Sequence, residues 1–193
     1  MYSQFKYMAT DNSNFNRHNI YNIAATGKYN LLRNDILKHK DVESVGLVST
    51  PFGGTSASCN IKTDKLGNSI AASYYATNKD FISNMNLQFV AGKNLPESIS
   101  DSASDLVVVN EQALYALGLG TAKEAIGKPI ILNDSKQVIV QGVVKNFCYF
   151  VYQFSTAPLI MHYNPAQFHV LSIKTNIAVQ EKDFKASMQS IWK

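Results

Sequence analysis

The chain is poor in the residues and spacings that most chemistry requires. Its only cysteines, Cys59 and Cys148, lie far apart and fit neither a CxxC nor a zinc-ligand pattern. The expectation is two separate buried thiols, each packed as a small hydrophobe, with a Cys59–Cys148 disulfide as the alternative in an oxidising compartment. Four histidines, His18, His39, His162 and His169, form no HExxH and no i,i+4 pair, so no metal site is predicted. Ser49, Thr55, Ser56 and Ser58 flank Gly53 and Gly54 without a GxSxG elbow. Asp101, Asp105 and Glu111 are close in sequence, but a loop and a helix start account for them without paired acid and base chemistry.

The glycines fail the phosphate-loop tests as well. Six residues separate Gly120 from Gly127, and Pro129 stands where a magnesium-binding Ser or Thr belongs. Gly118 and Gly120 begin a GxG, but Lys123 occupies the third position and the stretch leads from helix to helix. No catalytic residue and no cofactor site is predicted. Nor is there a basic block: the net charge of +4 comes from lysines and arginines scattered along the chain without interleaved aromatics, which argues against a nucleic-acid partner. Apolar runs stay far below the roughly 20 residues of a membrane helix, and no basic stretch followed by an apolar signal core opens the chain.

What is present is order. With 193 residues, 46% hydrophobic and 17% charged, the chain can bury one sizeable core or two small ones. Asn19 to Ala25 reads as a strand, Lys28 to Lys40 as a helix with Tyr29, Leu32 and Ile36 on one stripe, and Val42 to Thr50 as a returning strand. Pro51, Gly53 and Gly54 then break the chain. Thr55 to Thr63 and Ser69 to Ala76 read as a hairpin around residues 64–68.

Downstream, Thr77 and Asp80 suggest a loose capping box with Phe81, Ile82 and Met85 buried behind it. Asn110 caps a short helix whose apolar stripe is Ala113, Leu114 and Leu117, and Gly118 permits its left-handed stop. Thr121 and Glu124 fit a reciprocal capping box that Gly127 and Pro129 terminate. Val138, Val140 and Val144 alternate with Ile139 and Val143, so this strand should be central, with Gly142 marking a bulge or a close backbone approach. Ala157 to Tyr163 and His169 to Lys174 supply further strands, and Ile177, Phe184, Met188 and Ile191 line a terminal helix.

Several of these segments, in this order, carry a resemblance: FVAGKNLPES, VVVNEQALYALGLG, EAIGKPI and VQGVVKNF, preceded by QFKYMATDNSNFNRHNIYNIA and VESVGLVSTPFGG. Together they resemble the extracytoplasmic (periplasmic) core domain of MacB/FtsX-like ABC transporter permeases, particularly the Bacteroidetes members. The likeness covers most of the chain; Cys148 departs from it, standing where many relatives carry His.

The residue pattern predicts an α+β, two-lobed fold. A βαβ-containing layer is expected from both chain ends, residues 1–76 and 136–193, with a smaller α/β lobe, residues 77–135, inserted between them. The resemblance supplies the names porter-like for the first and Sabre-like for the second. It implies a non-catalytic domain on the periplasmic side of the bacterial inner membrane, held by transmembrane helices outside this chain. Its implied partners are a second permease copy in a homodimer, a cytoplasmic ATP-binding subunit or domain reached through the membrane helices, and a periplasmic adaptor. The function implied is coupling of ATP hydrolysis to export or mechanotransmission. A second reading, from another class, is an extracytoplasmic ligand-binding or sensory module with a cleft between the lobes.

Two candidate features follow from the residues. Phe147, Tyr149, Phe150, Tyr152 and Phe154 crowd five aromatics into eight positions, which suits either packing between lobes or a contact surface. Thr77 and Ser135 bound the expected insertion and are the candidate hinge.

Overall fold

The computed structural model describes residues 15–16, 18–24, 29–64, 67–97, 105–149, 156–176, 184, 187 and 188. An antiparallel sheet and a mixed sheet, with a few short helices, make up an α+β architecture of two lobes. The first sheet is small. β1 (Ile20–Ala24), helix α1 (Tyr29–Ile36) and β2 (Val42–Val48) form a split βαβ unit, because β10 (Val170–Thr175) inserts antiparallel between β1 and β2. The two ends of the chain thus build one layer, as the sequence predicts. Ile36, Val45, Leu47, Leu171 and Ile173 are buried on one face of it, together with Phe184 and Met188 from the C-terminal segment.

The second sheet holds seven strands: β3 (Ala57–Lys62), β4 (Ile70–Ala76), β5 (Phe89–Gly92), β6 (Leu106–Asn110), β7 (Pro129–Leu132), β8 (Lys136–Val144) and β9 (Leu159–His162). Its order is β5-β8-β6-β9-β4-β3-β7, and β7 also pairs with β8. Six of the strands therefore close into a ring, which removes the exposed edges that an open sheet would present. Residues one apart on each strand face opposite sides. Cys59 and Ile61, Ala72 and Tyr74, Val107 and Val109, Ile130 and Leu132, Val138 and Val140, with Ile160 and His162, are all buried and line the inside. The alternate residues of the central strands, Tyr75, Val108, Leu159 and Met161, are buried too, because the outer face of β4, β9 and β6 packs toward the first sheet.

Sheet membership cuts across the expected domain limits. β4 ends at Ala76, the last residue before the expected insertion, yet it pairs with β9, which pairs with β6 from within residues 77–135. Ser135 belongs to the β7–β8 hairpin, whose Asn133 and Asp134 both take positive φ as an I′ turn requires. The division between sheets falls instead near residues 49–56 and 163–169. The physical reason is strand pairing: β3 and β8 pair with β7, β8 and β9 pair with β6, and β4 lies between β3 and β9, so none of the four is a ladder partner of β1, β2 or β10.

Three short helices follow: α2 (Lys79–Asn84), which packs on β2 of the first sheet, and α3 (Glu111–Ala116) and α4 (Ala122–Ala125), which pack on the second. Asn110 caps α3 by accepting from the Ala113 N–H at 2.9 Å. The capping box of α4 forms in both directions, and the Thr121 amide and hydroxyl bonds hold the Glu124 carboxyl below its usual range. The cap of α2 is a correction. Asn78, not Thr77, accepts from the Phe81 N–H at 3.1 Å, since Thr77 is occupied between the sheets. Gly142 proves to be both things expected of it. The register slips so that Gln141 bulges opposite β6, and a Cβ on Gly142 would lie 2.4 Å from the Lys93 carbonyl oxygen.

Candidate functional site: the junction between the two sheets

The polar part of the junction is a short seam at residues 76–78. Thr77 is fully buried and its N–H donates to the His162 carbonyl of β9 at 2.9 Å, while its hydroxyl donates to the Leu47 carbonyl of β2 at 3.1 Å. Either side of it, the Ser49 N–H donates to the Ala76 carbonyl at 2.8 Å and the Asn78 N–H to the Leu47 carbonyl at 3.1 Å. The Asn78 side chain accepts from the Leu47 N–H at 2.9 Å as well as capping α2. One turn of chain thereby satisfies the outer edge of β2 and fixes α2 against it.

α2 sits closer to β2 than side chains normally allow. A Cβ added at Gly46 would lie 2.5 Å from Phe81 Cα and 2.7 Å from Phe81 N, so glycine at this position is what lets the helix backbone rest on the strand. Phe81 is wholly buried as a result.

Around Phe81 lies a nest of aromatic rings. Phe52 is its centre: its ring centroid is 5.0 Å from that of Tyr75, 5.1 Å from Phe81, 5.1 Å from Phe147 and 5.4 Å from Phe15, at edge-on or tilted angles. Such geometry suits the ring quadrupoles. Val48 of the first sheet and Leu159, Met161 and Val108 of the second complete this core, so it is shared by both lobes.

The predicted aromatic run enters this nest. Phe147 and Tyr149 are buried and their ring centroids lie 5.5 Å apart; the Tyr149 hydroxyl donates to the Ala157 carbonyl at 2.9 Å, and burial pushes its pKa up. Phe150, Tyr152 and Phe154 lie outside the described residues. The structure does not bring the two hinge candidates into one feature, since Thr77 bridges the sheets and Ser135 turns a hairpin inside one of them. Sequence reasoning missed Phe52, Phe81 and Tyr75 as members of the junction. Phe52 sits in the breaker segment PFGG, where Pro and Gly dominate the local reading. An apolar aromatic inside a turn was the signal available.

Inside the ring, Tyr74 Oη and His162 Nδ1 are 2.8 Å apart, and the Asn164 amide donates to the Tyr74 hydroxyl at 3.4 Å. Lys136 Nζ stands 3.5 Å from His162 Nε2. Tyr74 and His162 are buried and bonded to each other, while Lys136 reaches them from the exposed start of β8, which is a structural role. Among the described residues no three His, Cys, Asp or Glu side chains gather as metal ligands would.

The thiols differ from expectation. Cys59 is buried and Cys148 is exposed, and the two are not joined in a disulfide; Cys148 faces outward because its neighbours Phe147 and Tyr149 both turn inward. Burial raises Cys59 from 9.0 to about 11. A maleimide at neutral pH is therefore expected to label Cys148 at once and Cys59 only after denaturant is added, and equal labelling rates would contradict this packing. The same shift predicts alkaline lability. The unfolded thiol ionises near 9.0 and the folded one near 11, so stability is lost as pH rises through that window. Tyr74 and Tyr149, raised by burial, act in the same direction.

The MacB-like periplasmic core domain matches residues 2–191. The periplasmic region of MacB from Actinobacillus actinomycetemcomitans superposes with a TM-score of 0.64 at 17% identity, covering 94% of this chain and 84% of that one. A domain of a putative permease protein from Porphyromonas gingivalis gives 0.60 at 10% identity, covering 92% and 84%. The extracellular domain of the noncanonic ABC-type transporter YknZ from Gram-positive bacteria gives 0.57 at 12% identity, covering 88% and 86%. At these identities the structures establish the shared fold. No curated protein matches the sequence.

Proposed function

The chain belongs to the family of MacB-like periplasmic core domains, and on that premise we propose that it relays force between the two sides of a membrane and makes or breaks no bonds itself. It is the periplasmic domain of an ABC transporter permease. ATP would be hydrolysed by a cytoplasmic subunit or domain, and the motion would arrive through membrane helices outside this chain, at the inner membrane. No described helix is long and apolar enough to cross a membrane. A second permease copy is the proposed homodimer partner, a periplasmic adaptor the further one, and no cofactor is required within this domain.

The observation that carries the reading is the junction. Two sheets share one aromatic core and are pinned by a few backbone bonds around Thr77, which suits a lever that pivots through a small angle without losing packing. Thr77 is the proposed pivot of the two expected from sequence. The measurement is the angle between the two sheets in the full transporter, nucleotide-bound and nucleotide-free. A change of several degrees with the seam at residues 76–78 intact is the expected result; the same angle in both states would count against a pivot here.

A further inference from the structure

A second feature of the junction points to a ligand. Beside the seam, a cavity of about 230 Å³ opens between α1, the start of α2, the segment after β5 and the end of β9. Arg33 and Asp80 form its inner wall. The guanidinium Nη2 lies 2.6 Å from Asp80 Oδ2 and Nε donates to the Val45 carbonyl at 3.1 Å, while the Asn78 amide donates to the same Asp80 oxygen at 3.1 Å. The pair is thus fixed from three sides and only 28% of each side chain is exposed. The outer rim is Lys79 and Glu97, 3.2 Å apart, with Glu97 83% exposed; such a solvated pair yields easily.

Hydrogen-bonding capacity is left over on the inner wall. Arg33, Asp80, Asn30 and Tyr163 all line the cavity, and among the described residues the hydrogen bonds of the Arg33–Asp80 pair engage Nε, Nη2 and Oδ2, leaving Arg33 Nη1, Asp80 Oδ1, the Asn30 side-chain amide and the Tyr163 hydroxyl without a bond to protein. Donors for an anion and an acceptor for a cation therefore stand side by side. Leu47 and Pro96 add apolar lining. The four charges of the wall and rim pair off as Arg33–Asp80 and Lys79–Glu97 and sum to zero, so a ligand without net charge leaves the site balanced and a singly charged one does not.

We propose that this cavity binds a free α-amino acid in its zwitterionic form. Its carboxylate would sit on Arg33 Nη1, Asn30 and Tyr163, its ammonium on Asp80 Oδ1, and a small apolar side chain on Leu47 and Pro96. The volume is below the usual range of drug-sized sites, about 300–1,000 Å³, which limits the ligand to few heavy atoms. The site stands on the cavity's own chemistry and is independent of force relay.

The test titrates the 193-residue chain, ¹⁵N-labelled, with L-leucine and with its two halves, 4-methylpentanoate and 3-methylbutylamine. Saturable shifts at the Arg33 Nε–H and at the backbone amides of residues 78–80, with each half-ligand at least about tenfold weaker, are expected. Tyr163→Phe, which removes one hydroxyl and leaves the ring, should weaken leucine binding several-fold, and Asp80→Asn should abolish it. Unchanged thermal midpoints for Tyr163→Phe separate lost binding from lost folding. No saturable shift up to about 10 mM leucine, or half-ligands that bind as well as leucine, or binding indifferent to both variants, overturns the proposal.

Discussion

Phe81→Ala is expected to lower the stability of the chain by about 3–5 kcal/mol, the usual cost of emptying a fully buried phenylalanine site. The ring is completely buried, it packs edge-on against Phe52, and its backbone rests on Gly46. Neighbours cannot close the void cheaply, because Phe52 is already held by Tyr75 and Phe147. Urea unfolding reads the loss as a lowered midpoint at constant slope. Phe81→Leu, which keeps most of the volume, should cost about 1.5 kcal/mol or less. The functional expectation goes further: because Phe81 couples both sheets, the Ala variant should expose the junction to hydrogen exchange before the rest of the second sheet. A variant as stable as the parent would mean that the aromatic nest does not hold the lobes together.

Gly92→Ala carries the second large effect, for two independent reasons. Gly92 has φ of +70°, where a side chain costs about 1–2 kcal/mol in backbone strain. A Cβ there would also lie 2.2 Å from the Gln141 carbonyl oxygen and 2.9 Å from Gly142 Cα, both of them backbone atoms of β8 that cannot swing aside. Overpacking of this kind adds about 1–3 kcal/mol. The sum is about 2–5 kcal/mol. Gly118→Ala is the control: its φ is +62° but its Cβ would meet nothing within 4 Å, so only the strain component remains. Equal losses for the two variants would show that the close approach of β5 to β8 is not rigid.

Much of the fold is legible before any coordinates. The hairpin of β3 and β4, the split βαβ elements, the capping box at Thr121 and Glu124, and the centrality of β8 all follow from neighbouring residues, because caps and turns are decided within about one turn of chain. Less legible were β5 and β7. β5 has four residues with a register slip, and β7 opens on Pro129, which reads as a terminator until the partner strand shows that its missing N–H lies at the start of the strand. The aromatic run from Phe147 was visible as composition, but which rings it meets was not.

The sequence alone determined that the chain is an α+β domain and to which family it is similar, since motif spacing and local caps are written in consecutive residues. Only the tertiary structure decided that six strands close into a ring, that Thr77 bonds both sheets, and that Gly46 and Gly92 are sites of close backbone approach. Those facts depend on which distant segments pair, such as Ala76 with His162 and Val107 with Val140. Period-two patterns tell a strand which face to bury; they carry no information about which neighbour it will bury it against.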